Sequence, residues 1–229
     1  MLLSIAMLRN RWPYEQEVFR YLETTDFDYD VIFDIGANIG IHSLFFSSLI
    51  EKNKKQKSCN IISFEPSGVT FLELIRNLSA NKIKNVFSFN CAIYSKGGLF
   101  DFYEPEGFPD QSSLTHQHVV RLNRPVHTNK VLAISGDCLE SFVVDAEKIL
   151  IKVDVEGSEY EVLKSIENLI LKKRPTLIIE ALPLYVDKLN HLEFLHQANY
   201  QFYEITDKGL ELHTRFEVSQ YRNYILVPT

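Results

Sequence analysis

Residues 29–52 read "YDVIFDIGANIGIHSLFFSSLIEK". Val31 to Ile35 is a short apolar run interrupted by one acid, Asp34. Such a run is the pattern of a strand buried on both faces. The stretch from Ile41 to Lys52 reads as an amphipathic helix. Between them stand Gly36 and Gly40, two of only 9 glycines in the chain. Gly36 allows a tight turn and close approach of a ligand to the backbone. Gly40 allows the helix to start close to the strand, with its unpaired N–H groups facing the loop. A strand, a glycine loop and a helix in this order open a doubly wound α/β sheet.

The alternation continues on either side. Upstream, residues 10–25 ("NRWPYEQEVFRYLETT") predict a helix with Trp12, Val18, Phe19 and Leu22 on one side. Downstream, "CNIISFEP" (59–66) is a second strand, and "SGVTFLELIRNLSANK" (67–82) a helix with Ser67 as its N-cap. "VFSFNCAIY" (86–94) reads as a third strand and "GGLFDFYEP" (97–105) as a hairpin strand. Residues 107–130 hold no sustained period and read as a substrate lid or long loop, a feature often functional in compact domains. A short helix at "DCLESFV", a fourth core strand at "KILIKVDVEG", a helix at "SEYEVLKSIENLILKK" and a fifth strand at "PTLIIEAL" follow. A helix at "YVDKLNHLEFLHQAN" precedes the last two strands, "YQFYEIT" and "NYILVP", with "GLELHTRFEV" between them. No long helix separates these two strands, so they are expected to pair antiparallel at one end of the sheet.

The bulk composition narrows the function. A chain of 229 residues, 45% hydrophobic and 24% charged, suits one soluble domain, taken as residues 1–229 with a helical extension over 1–28. A net charge of -6 leaves no basic excess for a nucleic-acid partner. The one basic run, "EKNKKQK", reads as a solvated loop. Cys59, Cys91 and Cys138 are odd in number and form no CxxC pair, which fits a reducing, cytoplasmic setting. The opening "MLLSIAMLRNRW" has its arginines after its apolar run, the reverse of a secretory signal. No stretch approaches the 18 or so consecutive apolar residues of a membrane span.

The strand ends carry the chemistry, because ligands of doubly wound sheets bind beyond the carboxyl ends of the strands. Here those ends are Asp34, Glu65, Asn90, Asp154 and Glu180, all polar. A dinucleotide fingerprint would read G-x-G-x-x-G. This loop has Asn38 where the second glycine would admit a pyrophosphate, and Asp34 just before it would repel phosphate. A ligand with a cationic aminoacyl end, a ribose diol and no phosphate fits better, and S-adenosyl-L-methionine has these groups. On this reading Asp34, Gly36, Ala37, Asn38 and Gly40 take the aminoacyl part. Glu65, followed by Pro66, accepts from the ribose hydroxyls. Asn90, Cys91 and Ala92 lie where the adenine edge would sit.

These pieces resemble the FkbM-type methyltransferases, a branch of the class I S-adenosylmethionine-dependent enzymes. "FDIGANIG", "ISFEP", "NCAIYSKGG", "SSL" (112–114), "DCLESF", "ILIKVDVEGSEYEVLK" and "PTLIIE" occur in the family's order over roughly residues 31–180. The resemblance implies a three-layer Rossmann-like sheet of about seven strands, mostly parallel with an antiparallel C-terminal hairpin, and helices on both faces. It also implies methyl transfer, usually to a hydroxyl oxygen of a small molecule or glycan. Two departures stand out. Ser135-Gly136-Asp137 replaces the family's frequent Thr-Leu-Asp, and His42 replaces a frequent aromatic.

A hydroxyl acceptor loses its proton on methylation, so a base near the methyl group helps. Lys152, Asp154, Glu156, Glu180, His116 and His118 are the titratable groups within reach of that point. Asp154 ends the fourth core strand and is the expected catalytic or acceptor-orienting residue. Lys152, Asp154 and Glu156 share one face by the two-residue period. Burial would lower the lysine pKa toward a useful base, or the lysine is a structural partner of the acids. Glu159 reads as an acid at the positive end of the following helix. Asp154 and Glu180 suit a hard cation, but the sequence offers no third ligand, so no metal is expected. Two alternatives to methyl transfer stay open at this point: an NAD(P)-dependent oxidoreductase on the same architecture, and an inactive binding module.

Overall fold

The computed structural model describes residues 15–53 and 59–229. Trp12, the opening apolar run and most of the basic run lie outside the described residues. The main sheet has eight strands in the order β10-β9-β11-β8-β7-β1-β2-β3. Its core is β1 (Val31–Ile35), β2 (Asn60–Phe64), β3 (Val86–Phe89), β7 (Ile149–Val153) and β8 (Thr176–Glu180), all parallel. β9 (Tyr200–Thr206), β10 (Gly209–His213) and β11 (Asn223–Pro228) add to it antiparallel.

The expected alternation of strand and helix is present, and its physical basis is burial. β1, β7 and most of β8 are buried on both faces, which only near-continuous apolar runs tolerate. Phe33, Ile35, Val153 and Ile179 are at most 1% exposed, and each such side chain contributes about 1.5–3 kcal/mol. On the other face Ile32, Leu150 and Ile178 pack against Val18, Phe19 and Leu22 of the helix Gln16–Thr24. Among the described residues, no helix is long and apolar enough to cross a membrane.

The structure departs from the sequence reading in four places. The run 86–94 is two strands in two sheets. β3 joins the main sheet, whereas β4 (Ala92–Tyr94) joins a three-stranded sheet ordered β4-β6-β5. The chain turns at Asn90, whose side-chain amide donates to the carbonyls of Glu65 (2.9 Å) and Pro66 (3.0 Å). The lid is shorter than expected, because Val126–Ser135 is strand β6, paired antiparallel with β5 (Gly98–Pro105). The helices expected over 158–173 and 185–199 are each broken in two, at Ile166 and between Leu189 and Glu193. Finally, residues 209–213 form an edge strand, which makes eight strands rather than seven. Ser67 is the N-cap expected of it and accepts from the Thr70 N–H.

β1 lies between β2, which continues the chain on one side, and β7, which begins the return on the other. The strand order therefore reverses at β1, and a crevice opens above its carboxyl end.

Candidate active site

The loop after β1 is built for close approach. Gly36 has φ +82°, and a Cβ there would lie 1.7 Å from the Asp154 carbonyl oxygen. The backbones of β1 and β7 thus touch at this point, joined by the Asp154 N–H donating to the Ile35 carbonyl at 3.1 Å. Gly40 has φ +89°, and its Cβ would strike Leu74 Cδ1 at 2.4 Å, so the helix Ile41–Lys52 starts hard against its neighbour. Asn38 also has a positive φ, 50°, a conformation asparagine tolerates better than most residues. Its side-chain oxygen accepts from the Ile39 N–H at 2.7 Å.

The Asn38 N–H points away from the loop and donates to Glu65 Oε2 at 2.9 Å. The Ser67 N–H donates to Glu65 Oε1 at 2.8 Å. Both oxygens of Glu65 are thereby fixed, and each keeps a lone pair for a further donor. Burial pushes the Glu65 carboxyl up to about 7, against the opposing pull of these two N–H groups.

Together these elements wall a cavity of about 290 Å³. Gly36, Ala37 and Asn38 line it from the loop, Glu65 and Pro66 from the end of β2, and Ala92 from β4. Lys152, Asp154 and Glu156 line it from β7 and the turn beyond. The remaining expected binding residues stand behind the wall. Asp34 is fully buried, accepts from the Ser43 hydroxyl at 2.6 Å and sits directly opposite Lys152 in the β1–β7 register. Burial pushes its carboxyl up, while Lys152 pulls it down. Gly40 shapes the helix start, Asn90 braces the Glu65–Pro66 backbone, and Cys91 is part of the hydrophobic core.

Lys152 is 2% exposed, with Nζ 2.9 Å from Asp154 Oδ2 and 4.0 Å from Asp34 Oδ1. Burial alone would lower its pKa, but the carboxylates of Asp154, Asp34 and Glu15 raise it above the usual lysine value. The lysine is therefore a fixed ammonium at the centre of an acidic cluster, which favours the structural-partner reading over the base.

The turn after β7 is held from below and above. Glu159, fully buried, accepts from the N–H groups of Val155 (3.0 Å) and Gly157 (3.1 Å). Burial pushes its carboxyl up to about 8. From above, the Ser113 hydroxyl donates to the Glu156 carbonyl at 2.7 Å, and His118 Nε2 lies 3.2 Å from Glu156 Oε2. This segment also sends Pro109, Asp110, Ser112 and Leu114 to the cavity wall. His116 packs against Tyr103 instead, with ring centres 4.6 Å apart. Asp154, Glu156 and Glu180 carry carboxylate oxygens within 4.8 Å of one another, so the third acid that the sequence did not offer is Glu156.

The sequence marks His42 only as a departure from a frequent aromatic of the family, and it does not assign Glu15 or Phe102 to the wall. Glu15 starts the helix Gln16–Thr24 yet reaches the cavity, where Asn223 of β11 donates to its Oε1 at 2.7 Å. Burial and the nearby Asp154 push its carboxyl up to about 7. His42 Nε2 lies 3.2 Å from Glu15 Oε2, and burial holds the imidazole well below its ordinary pKa, hence neutral. Phe102 reaches the wall from the second sheet. No local pattern marks these residues, because their partners lie far away in the chain.

The charges of the wall are one-sided. Glu15, Glu65, Asp110, Asp154 and Glu156 are acids, and Lys152 is the one fixed cation among the described lining residues. Such a cavity is a poor host for a diphosphate and a good one for a ligand with a cationic end and hydroxyl donors.

Comparison with known proteins agrees with this geometry. The family model described as "Methyltransferase FkbM domain" matches residues 34–202. The hexuronic acid methyltransferase AglP of Haloferax volcanii is 32% identical over 67% of this chain and 57% of its own length. The methyltransferase sdnD of Sordaria araneosa is 30% identical and matched over 72% of each chain. The chain thus spans little more than half the length of AglP, at 57%. The crystal structure of methyltransferase FkbM from Methylobacillus flagellatus KT shares the fold, with a TM-score of 0.53 and 19% identity over 88% of this chain and 44% of that one. The family match runs from Asp34 near the end of β1 through Glu65, Asp154 and Glu180 into β9, and the chain belongs to the FkbM methyltransferase domain family.

Proposed function

We propose that this chain binds S-adenosyl-L-methionine in the cavity above β1 and methylates a hydroxyl oxygen of a sugar, glycan or secondary metabolite. The observation that carries the reading is the composition of one wall: a tight glycine loop, a doubly anchored Glu65 and an acid-rich end around Asp154 share a single cavity. Glu65 would accept from the ribose hydroxyls. The Gly36–Asn38 backbone and the acids beside it would hold the aminoacyl end, and Pro66 and Ala92 would border the adenine. Bound there, S-adenosyl-L-methionine supplies an electrophilic methyl group. Asp34 serves indirectly, by holding Lys152, rather than by touching the ligand.

Asp154 faces the cavity while paired to Lys152. The Asp154 carboxylate, held 2.9 Å from the ammonium, can orient an acceptor hydroxyl and receive its proton through a hydrogen bond. Orientation alone supplies a large part of the acceleration in such transfers. Glu156, partnered by His118, stands at the same edge, and the segment 107–125 covers it; we assign the acceptor to that side. The sugar class rests on the hexuronic acid methyltransferase AglP and on the acidic, hydroxyl-suited wall. Among the described lining residues the one fixed cation, Lys152, is paired to Asp154, which weighs against a dinucleotide.

Calorimetry tests the reading directly. S-adenosyl-L-methionine is expected to bind and NAD is not. Binding of NAD alone would replace the proposal with the oxidoreductase, and binding of neither with an inactive module. A panel of hydroxylated acceptors with labelled methyl donor then tests the transfer itself.

A further inference from the structure

A second cluster lies at the opposite end of the sheet, on the β9–β10 hairpin and away from the cavity wall. Glu204 and Glu211 are directly opposite one another in the antiparallel register, and His213 stands two residues beyond Glu211 on the same face. Two like charges in opposed positions destabilise a strand pair. Glu204 is moreover 4% exposed, and its Oε1 has no hydrogen-bond partner. A buried carboxylate without partners is costly. His213 Nε2 is also buried without a hydrogen bond, 3.6 Å from Glu204 Oε2.

The neighbouring groups do not relieve this arrangement. Tyr224, whose ring packs 5.8 Å from that of His213, directs its hydroxyl to the Glu217 carbonyl instead. Glu217 adds a further acid, 3.5 Å from His213 Nδ1. The Thr206 hydroxyl donates to Glu211 Oε1 at 3.4 Å, a long bond. Among the described residues, the one ion pair of Glu204 is with His213.

We propose that Glu204, Glu211 and His213 form a divalent metal site of the zinc class. Their ligand atoms lie within 4.8 Å of one another. Zinc bonds of about 2.0–2.2 Å require ligand atoms roughly 3.4 Å apart. Small side-chain rotations, chiefly of the exposed Glu211, close that gap. One imidazole and two carboxylates suit Zn²⁺, and three protein ligands leave a fourth position for water. The ion offsets the opposed charges and joins both strands of the hairpin, which fixes the register of the edge strand β10. None of the three residues lines the cavity above β1, so the ion would act on the hairpin and not on methyl transfer.

The test is calorimetric titration of Zn²⁺ into the chelator-treated full chain, with thermal unfolding as a second readout. One equivalent is expected to bind and to raise the unfolding temperature. Glu204→Gln and His213→Ala are each expected to weaken binding at least about tenfold and to abolish the thermal shift. Asp154→Asn is expected to leave both unchanged. No zinc binding by the parent protein would overturn the proposal. Binding that survives His213→Ala but is lost in Asp154→Asn would overturn it too, by moving the ion to the acidic cluster in the cavity.

Discussion

Replacing Lys152 by methionine separates the two roles open to this lysine. Its ammonium stands 2.9 Å from Asp154 Oδ2 and 4.0 Å from Asp34 Oδ1, at 2% exposure. At an effective dielectric of about 20 these contacts are gross attractions of about 6 and about 4 kcal/mol. Desolvation of the three charges cancels most of that sum. Removal of the lysine nevertheless strands two carboxylates, one of them fully buried, and such losses run to about 3–5 kcal/mol. That is a large share of the roughly 5–15 kcal/mol that holds a domain together. Urea denaturation of Lys152→Met should show this loss. Asp34→Asn placed on top removes one stranded charge, so the double variant should lose less than Lys152→Met alone. The double-mutant cycle isolates the coupling because Asp34 and Lys152 are in direct register. A Lys152→Met protein within about 1 kcal/mol of the parent, or strictly additive losses, would refute the counter-ion argument.

Further outcomes follow from the geometry. Glu65→Ala should weaken S-adenosyl-L-methionine binding by about 1–3 kcal/mol, the scale of hydrogen bonds to a charged group, and unchanged affinity would remove Glu65 from the ribose site. Since the Glu65 carboxyl titrates at about 7, calorimetry should show that affinity rising between pH 6 and 8 in the parent, with Glu65→Gln flattening the profile. Gly36→Ala must take up a positive φ at about 1–2 kcal/mol and displace the Asp154 backbone, breaking a hydrogen bond worth about 1 kcal/mol; a thermal melt equal to the parent's would contradict the backbone contact. Asp154→Asn should lower turnover far more than cofactor affinity, and a variant with the parent's rate would take Asp154 out of the mechanism. Glu159, raised to about 8 by burial, favours its protonated form when folded, so its contribution is full below the unfolded value of 4.5 and is lost as pH rises through about 8. The urea midpoint should therefore fall from pH 7 to pH 9, less so in Glu159→Gln, and a rising midpoint would reverse the sign of this argument.

The sequence misleads where continuity of the chain hides a change of partner. The run 86–94 is uniformly strand-like, yet Asn90 turns it from one sheet into another by donating to two carbonyls from residues 65 and 66. The run 126–130 looks like loop because its exposed residues are polar, but β5 supplies its backbone partners, and this end of β6, which β4 does not reach, needs little apolar burial. Asp34 is the sharpest case at the site. From its position before the glycine loop it is expected to meet the ligand, whereas the sheet buries it completely against Lys152.

The sequence by itself determined the α/β alternation, the loop at Gly36 and Gly40, the strand-end acids and the family they resemble. These are local: hydrophobic period, glycine placement and the residue that closes each strand depend on near neighbours in the chain. Only the tertiary structure decided which acids face the cavity and which stand behind it. It brought Glu15 from the first described helix and Phe102 from the second sheet to the wall, and it fixed Lys152 as an ammonium among carboxylates. Charge state and exposure depend on groups far away in the chain, through burial and Coulomb interaction in a poorly solvated interior, and no spacing in the sequence encodes them.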